Sequence, residues 1–232
     1  MGSKAFQAEI TSLAALGDPI RRGLYEFVAA QDEPVSRDMA ASGVEIARHV
    51  AKFHLDKLEE EGLLEAEYRR PSGRQGPGAG RPTKYYRRSL REISVSLPER
   101  HYDLAGRVLA QAITVSQENA IPIALALEKS ANNFGQLMAQ EVKDKLESRS
   151  NKKRVISAVT EVLADHGYEP RKEEGRLLLA NCPFHSLAQE YTALICGINH
   201  DLMSALISEL PPSFKVNLEP APGRCCVTLS EN

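Results

Sequence analysis

Four cysteines, Cys182, Cys196, Cys225 and Cys226, all fall in the last quarter of a 232-residue chain, and His185 lies three residues after the first of them. Thiolates and an imidazole are the ligand types that hold zinc in a tetrahedron or iron in a sulfide cluster. A second chemistry-bearing stretch lies far upstream. From Arg69 to Arg91 there are eight bases (Arg69, Arg70, Arg74, Arg81, Lys84, Arg87, Arg88, Arg91) and no acid, although the whole chain carries a net charge of −2. Charge this segregated marks a surface for a polyanion. Bases and thiols therefore divide the chain between two tasks.

The elements before the basic stretch define how it is presented. In "ALGDPIRRGLYEFVAAQ", Gly17 can end one helix, Asp18 can cap the next and Pro19 suits its first position. Ile20, Leu24, Phe27 and Val28 then recur at helical spacing. A second short helix is expected from Ser36 to about Gly43, and a third from about Glu45 to Glu61, stopped by Gly62. Projected at about 100° per residue, the third helix gathers Ala47, Val50, Ala51, His54 and Leu58 on one face. Arg48, His49 and Lys52 are left as exposed donors, and His54 reads as a packing histidine rather than a ligand.

Three short helices, a strand, a Gly/Arg-rich loop and a returning strand at "YYRRSL" follow the order of a winged helix-turn-helix domain. In that domain the third helix enters the major groove and the wing lies along the backbone or in the minor groove. Glycines and prolines let a wing tip follow the duplex, and arginines suit phosphates and narrow minor grooves. The expected DNA-binding residues are Arg48, His49 and Lys52 on the helix and Arg69, Arg70, Arg74, Arg81 and Lys84 on the wing. Double-stranded DNA is the expected partner. A solvated basic linker would not account for the helices before this stretch or for Tyr85 and Tyr86 after it.

"LGDPIRRGLYEFV", "ARHVAKFHLDKLEEEGLL" and "GRPTKYY" resemble the matching pieces of ArsR-like winged-helix transcriptional regulators over about residues 10–90. ArsR-type metal sensors often carry a cysteine pair on the third helix, and this sequence has none there. Beyond it, "LPERHYDLAGRVLAQAITVSQENAI" and "ALEKSANNFGQLMAQEVKDKLESRS" read as two helices parted near Pro122. A homodimer is their natural use, because helix-turn-helix proteins bind paired half-sites; packing within one monomer is the other reading.

From Asn151 the pattern becomes helix, two strands, helix, two strands, with a hairpin around Gly175. This region, with "NCPF", a downstream "CG" and a terminal strand bearing cysteine, resembles the C-terminal sensor of SufR-like regulators and, less closely, ligand-binding domains of the vinyl-reductase type. The SufR resemblance implies an iron–sulfur cluster on Cys182, Cys196 and Cys225 or Cys226. Geometry constrains that reading. One straight helix from Cys182 to Cys196 would separate them by about 21 Å, so a reversal must lie between them. Adjacent strand residues face opposite ways, so only one of Cys225 and Cys226 is expected to join easily, and His185 is the obvious non-thiol ligand. Zinc suits the same residues, while buried inert thiols, a redox pair or a small apolar ligand pocket stay open.

The expected class is thus α+β: a winged helix-turn-helix domain over 1–95, central dimerisation helices over 96–150 and a small cysteine-bearing α+β sensor domain over 151–232. The expected function is a DNA-binding transcriptional regulator, a repressor by resemblance, switched by an iron–sulfur cluster or metal. No apolar run approaches the roughly 18 residues of a membrane span and no secretory pattern opens the chain, so a cytoplasmic address is expected. No nucleotide fingerprint, HExxH, nucleophile elbow or paired acids near a nucleophile argue for an enzyme. "GRQGPGAGRP" opens no helix and makes a poor phosphate cradle.

Overall fold

A computed structural model describes residues 4–69, 82–147, 150–211 and 214–231. The chain divides into two compact units, Lys4–Val95 and Ser96–Asn232.

In the first unit, helix α1 spans Lys4–Ala15 and α2 spans Pro19–Ala29. Asp18 caps α2 by accepting from the Arg21 amide at 3.0 Å, with Pro19 in the first turn. Strand β1 is the short Val35–Ser36; Ser36 also caps α3, Arg37–Gly43, by accepting from the Met39 amide. The α3–α4 turn is tight. A Cβ on Gly43 would lie 2.0 Å from the Phe27 ring, so glycine is what lets α2 close on this turn.

Glu45 then takes a left-handed φ of 55° and Ala47 is extended, which delays α4 to Arg48–Glu60. The third helix thus starts three residues later than its apolar pattern suggests. Ala47 precedes it, and Leu55 joins Ala51, His54 and Leu58 on the buried face. Strands β2 (Leu64–Arg69) and β3 (Thr83–Arg88) pair antiparallel with Ala66 opposite Tyr86, and β1 completes the order β1-β3-β2. Leu24, Val28, Val35, Leu55, Leu58, Leu64 and Tyr86 form the core. Arg70, Arg74 and Arg81 lie outside the described residues.

In the second unit, α5 (Tyr102–Asn119) and α6 (Ile123–Asp144) meet at Ala120, which has φ 51°, and at Pro122. Helix α7 (Lys152–Asp165) is capped by Asn151 and leads into β4 (Pro170–Glu173) and β5 (Arg176–Leu179). Glu174 and Gly175, with φ of 40° and 78°, make the hairpin turn; paired positive φ values match the twist of flanking strands. Helices α8 (His185–Glu190) and α9 (Thr192–Ser208) follow, then β6 (Phe214–Leu218) and β7 (Val227–Glu231). All pairings in the sheet, ordered β4-β5-β7-β6, are antiparallel.

Helices α5 and α6 share one core with α7, α9 and this sheet: Val108, Met138, Val159, Leu163, Leu177, Leu202, Leu206 and Leu229 belong to a single buried cluster. Among the described residues no helix is long and apolar enough to cross a membrane.

Candidate nucleic-acid interface and cysteine pocket

Helix α4 presents Arg48, His49 and Lys52 to solvent, as its periodicity requires. The Arg48 guanidinium meets Asp38 of α3 at 2.6 Å, with both side chains well exposed. Such a pair is worth little in water, so phosphate can replace Asp38 at small cost. Arg69 on β2 pairs with Glu67 and, at 3.6 Å, with Glu33, and its guanidinium sits over the Tyr85 ring at 5.7 Å.

Lys84 stands apart from the other bases. Its ammonium meets Asp56 Oδ1 at 2.7 Å and also holds Glu59, both on α4, while the Tyr86 hydroxyl donates to Asp56 at 2.7 Å. Burial pulls the Lys84 pKa down, but hydrogen bonds to these two carboxylates outweigh it and hold the ammonium well above its ordinary value. Lys84 is a strut from the returning wing strand to α4. Arg37, Arg48, Lys52, Tyr68 and Lys84 line one cleft of about 440 Å³ between the helices and the wing.

The cysteine pocket follows from the sheet. Strand β5 runs out toward Cys182 while its neighbour β7 runs in from Cys226, with Leu178 opposite Thr228. The Cys225 amide donates to the Leu179 carbonyl at 2.8 Å and ties the two ends together. Between Cys182 and Cys196 the helical path is interrupted at Tyr191, the break between α8 and α9, so no one straight helix separates the two thiols. Cys225 and Cys226 both precede β7. The alternation that would send them to opposite faces does not apply there, and both line the same cavity of about 450 Å³ with Cys182, Cys196 and His185.

The thiols act on one another's protonation, Cys182 with Cys225, Cys225 with Cys226 and Cys226 with Cys196. Cys225, engaged by Cys182 and Cys226 and deeply buried, keeps its proton far above the usual thiol range. Cys182 is lowered, first by Cys225. Cys226 is lowered to about 6, again first by Cys225 and further by Cys196 and the nearby Arg224 charge. Burial and the Cys226 contact push Cys196 up to about 12.

Residues with no cysteine signature hold this arrangement in place. Asn199, buried on α9, donates to Cys225 Sγ at 3.1 Å and accepts from the buried Tyr168 hydroxyl at 2.7 Å. The Arg100 guanidinium donates to Asn181 Oδ1 and to the Cys182 carbonyl at 3.1 Å. Asn181 donates in turn to Gly167 O at 2.6 Å. A sequence signal for Asn199 existed: it is a lone amide in the apolar run "ALICGIN", three residues after Cys196. Arg100 carries none, since only the folded chain brings it to Cys182.

The donor set is chemically that of a thiolate-ligated metal or cluster, with cavity space beside it. Among the described residues, no three His, Cys, Asp or Glu side chains already stand in the geometry of a bound metal ion.

The N-terminal unit, with its helix-turn-helix and paired wing strands, is thus the DNA-binding module of a transcriptional regulator. In agreement, residues 16–67 match a family model described as a helix-turn-helix domain. No curated protein matches the chain. Among solved structures, it is similar to human N-acetylserotonin methyltransferase in complex with SAM, at 14% identity and TM-score 0.26, over 68% of this chain and 54% of that one. The chain thus spans about half the length of that protein, and a likeness this slight carries no argument.

Proposed function

We propose that the chain is a homodimeric, sequence-specific transcriptional repressor of the ArsR-like winged-helix kind, with a SufR-like sensor region, whose affinity for DNA is set by the state of the cysteine pocket. The observation carrying this reading is that all four thiols of the chain meet on one cavity, in a different compact unit from the helix-turn-helix. An iron–sulfur cluster held by Cys182, Cys196 and Cys225 or Cys226, with His185 as the further ligand, fits the donor chemistry, and when bound it supplies sensitivity to redox state and iron supply. Zinc on the same residues is the alternative occupant.

The chain's own groups prepare that site. Cys182 and Cys226 lose their protons more readily than an ordinary thiol, and the thiolate is the form that binds metal. Asn199 orients Cys225, and Arg100 holds the Cys182 loop by its carbonyl. Dimerisation through α5 and α6 would place two recognition helices on paired half-sites, and Ile113, Ile123 and Leu137 expose apolar surface on those helices.

The gathering of four free thiols on one cavity also favours a second reading, in which a peroxide oxidises one thiolate to a sulfenic acid and a neighbouring thiol displaces water to form a disulfide. Protein purified without oxygen separates the readings. Iron and sulfide in stoichiometric amount, with visible absorption, support the cluster. Stoichiometric zinc makes the site a zinc site, and a colourless, metal-free protein leaves the thiol switch. Equal affinity of loaded and stripped protein for one duplex at fixed salt would sink the switching reading; salt must be fixed because phosphate contacts depend on it steeply.

A further inference from the structure

Phe53 is 66% exposed in the middle of α4. The buried residues Ala51, His54, Leu55 and Leu58 define the inward side of that helix. At about 100° per residue, His49 and Phe53 fall on the opposite side, one turn apart, flanked by Lys52. The phenyl ring meets the His54 ring edge-on, with centroids 5.2 Å apart, and this contact leaves its outer face open.

A single exposed apolar side chain is ordinary on most surfaces. This one stands on the helix that the fold turns toward DNA, where exposed positions are expected to carry polar or basic groups. The acids on its flank are also accounted for. Asp56 is held by Lys84 and Tyr86, Glu59 by Lys84, and Glu60 by Lys57 at 2.9 Å. The stretch from Arg48 to Phe53 therefore offers three polar or basic donors and one apolar disc, with neighbouring carboxylates tied to cations. The major-groove edge of a thymine offers the matching chemistry: a 5-methyl group is the one apolar feature there, and phenylalanine is among the side chains that contact it.

We propose that Phe53 is a specificity-determining residue that packs on a thymine 5-methyl group in the major groove of each half-site. The inference rests on the DNA-binding reading above.

Its test is selection from a random duplex pool with the full-length protein at fixed salt, run with wild type and with Phe53→Ala and Phe53→Leu. Wild type should enrich a thymine in each half-site, Phe53→Leu should keep part of that preference and Phe53→Ala should lose it. Replacing that thymine by deoxyuridine removes only the methyl group. It should weaken wild-type binding about fourfold, the worth of one buried methyl(ene), and leave Phe53→Ala binding unchanged. Enrichment of the same motif by wild type and Phe53→Ala, or equal deoxyuridine effects on both, overturns the assignment while DNA binding stands. A change in oligomeric state with unchanged base preference gives Phe53 to a protein contact and overturns it too. Enrichment of no duplex by wild type removes the DNA-binding reading itself, and this inference with it.

Discussion

Lys84 Nζ lies 2.7 Å from Asp56 Oδ1, so the returning wing strand β3 is bound to α4 by an ion pair across 28 residues of sequence. Lys84 thereby neutralises a carboxylate on the helix that carries Arg48 and Lys52. Lys84→Met should cost about 1 kcal/mol of stability, a modest figure because Asp56 is partly hydrated. DNA affinity should fall as well, through the released charges of Asp56 and Glu59. Urea unfolding of the full chain beside duplex titration checks both; unchanged DNA affinity would mean that Asp56 does not face the duplex.

The same pair makes stability depend on pH. Burial raises the Asp56 pKa, but hydrogen bonds from Lys84 and Tyr86 more than offset it, so the carboxyl sits below its ordinary value. A carboxyl lowered by folding contributes in full above its unfolded pKa of about 3.9 and loses that contribution as pH falls through the folded value. The stability gap between wild type and Asp56→Asn should hold from neutrality down to about pH 5 and close below about pH 4. A gap that widens on acidification would contradict the pairing.

How much of this was legible in the sequence depends on how local the cause was. Asp18, Pro19, Ser36 and Gly175 act within a few residues, and the elements they begin or turn are readable from them. The apolar pattern misplaces the start of α4 because Glu45 takes a left-handed φ that its residue type does not signal. That some break must lie between Cys182 and Cys196 follows from helix length, but its place at Tyr191 does not. Cys225 and Cys226 read as strand residues because β propensity does not mark where pairing stops, and Lys84 reads as a wing base because its partners lie 28 and 25 residues away. Arg100 escapes a sequence reading for the same reason, and Asn199 shows there only as a lone amide among apolar residues, because their partners meet them only in the folded chain.

Helix and wing should separate in their effects on DNA. Arg48→Ala and Lys52→Ala should relax base preference. Arg74→Ala with Arg81→Ala should weaken binding to all duplexes and shallow the salt dependence by about 0.9 for each phosphate left without its arginine. Duplex titrations over a salt series measure both quantities. Normal operator binding by Arg48→Ala and Lys52→Ala would remove α4 as the reading helix.

Among the thiols, Cys182→Ser and Cys196→Ser should each abolish iron retention by protein purified without oxygen. Since Cys225 and Cys226 line the same cavity, serine at either should lower it, the direct ligand more severely. Iron and sulfide per chain are the readout, and full occupancy in all four variants would exclude a cysteine-held cluster.

Helices α6 and α9 cross at Gly135 with no room to spare. A Cβ there would lie 2.2 Å from the Leu202 carbonyl oxygen, 2.8 Å from Ala205 Cβ and 3.0 Å from the Leu206 nitrogen. Two of these are backbone atoms, so no rotamer change relieves the contact and the helices must part. Alanine in place of a mid-helix glycine is otherwise favourable by roughly 0.5–1 kcal/mol, while overpacking a tight core costs about 1–3 kcal/mol. Overpacking wins at Gly135, and Gly135→Ala should destabilise the chain by about 1–2 kcal/mol. At Gly106 on α5 a Cβ would meet nothing within 4 Å, so Gly106→Ala should instead stabilise by about 0.5–1 kcal/mol. Opposite shifts in the urea midpoint from one chemical change are the expected outcome. Stabilisation by both would mean that α6 and α9 do not pack this closely, and with them would go the close packing of the core behind the cysteine pocket.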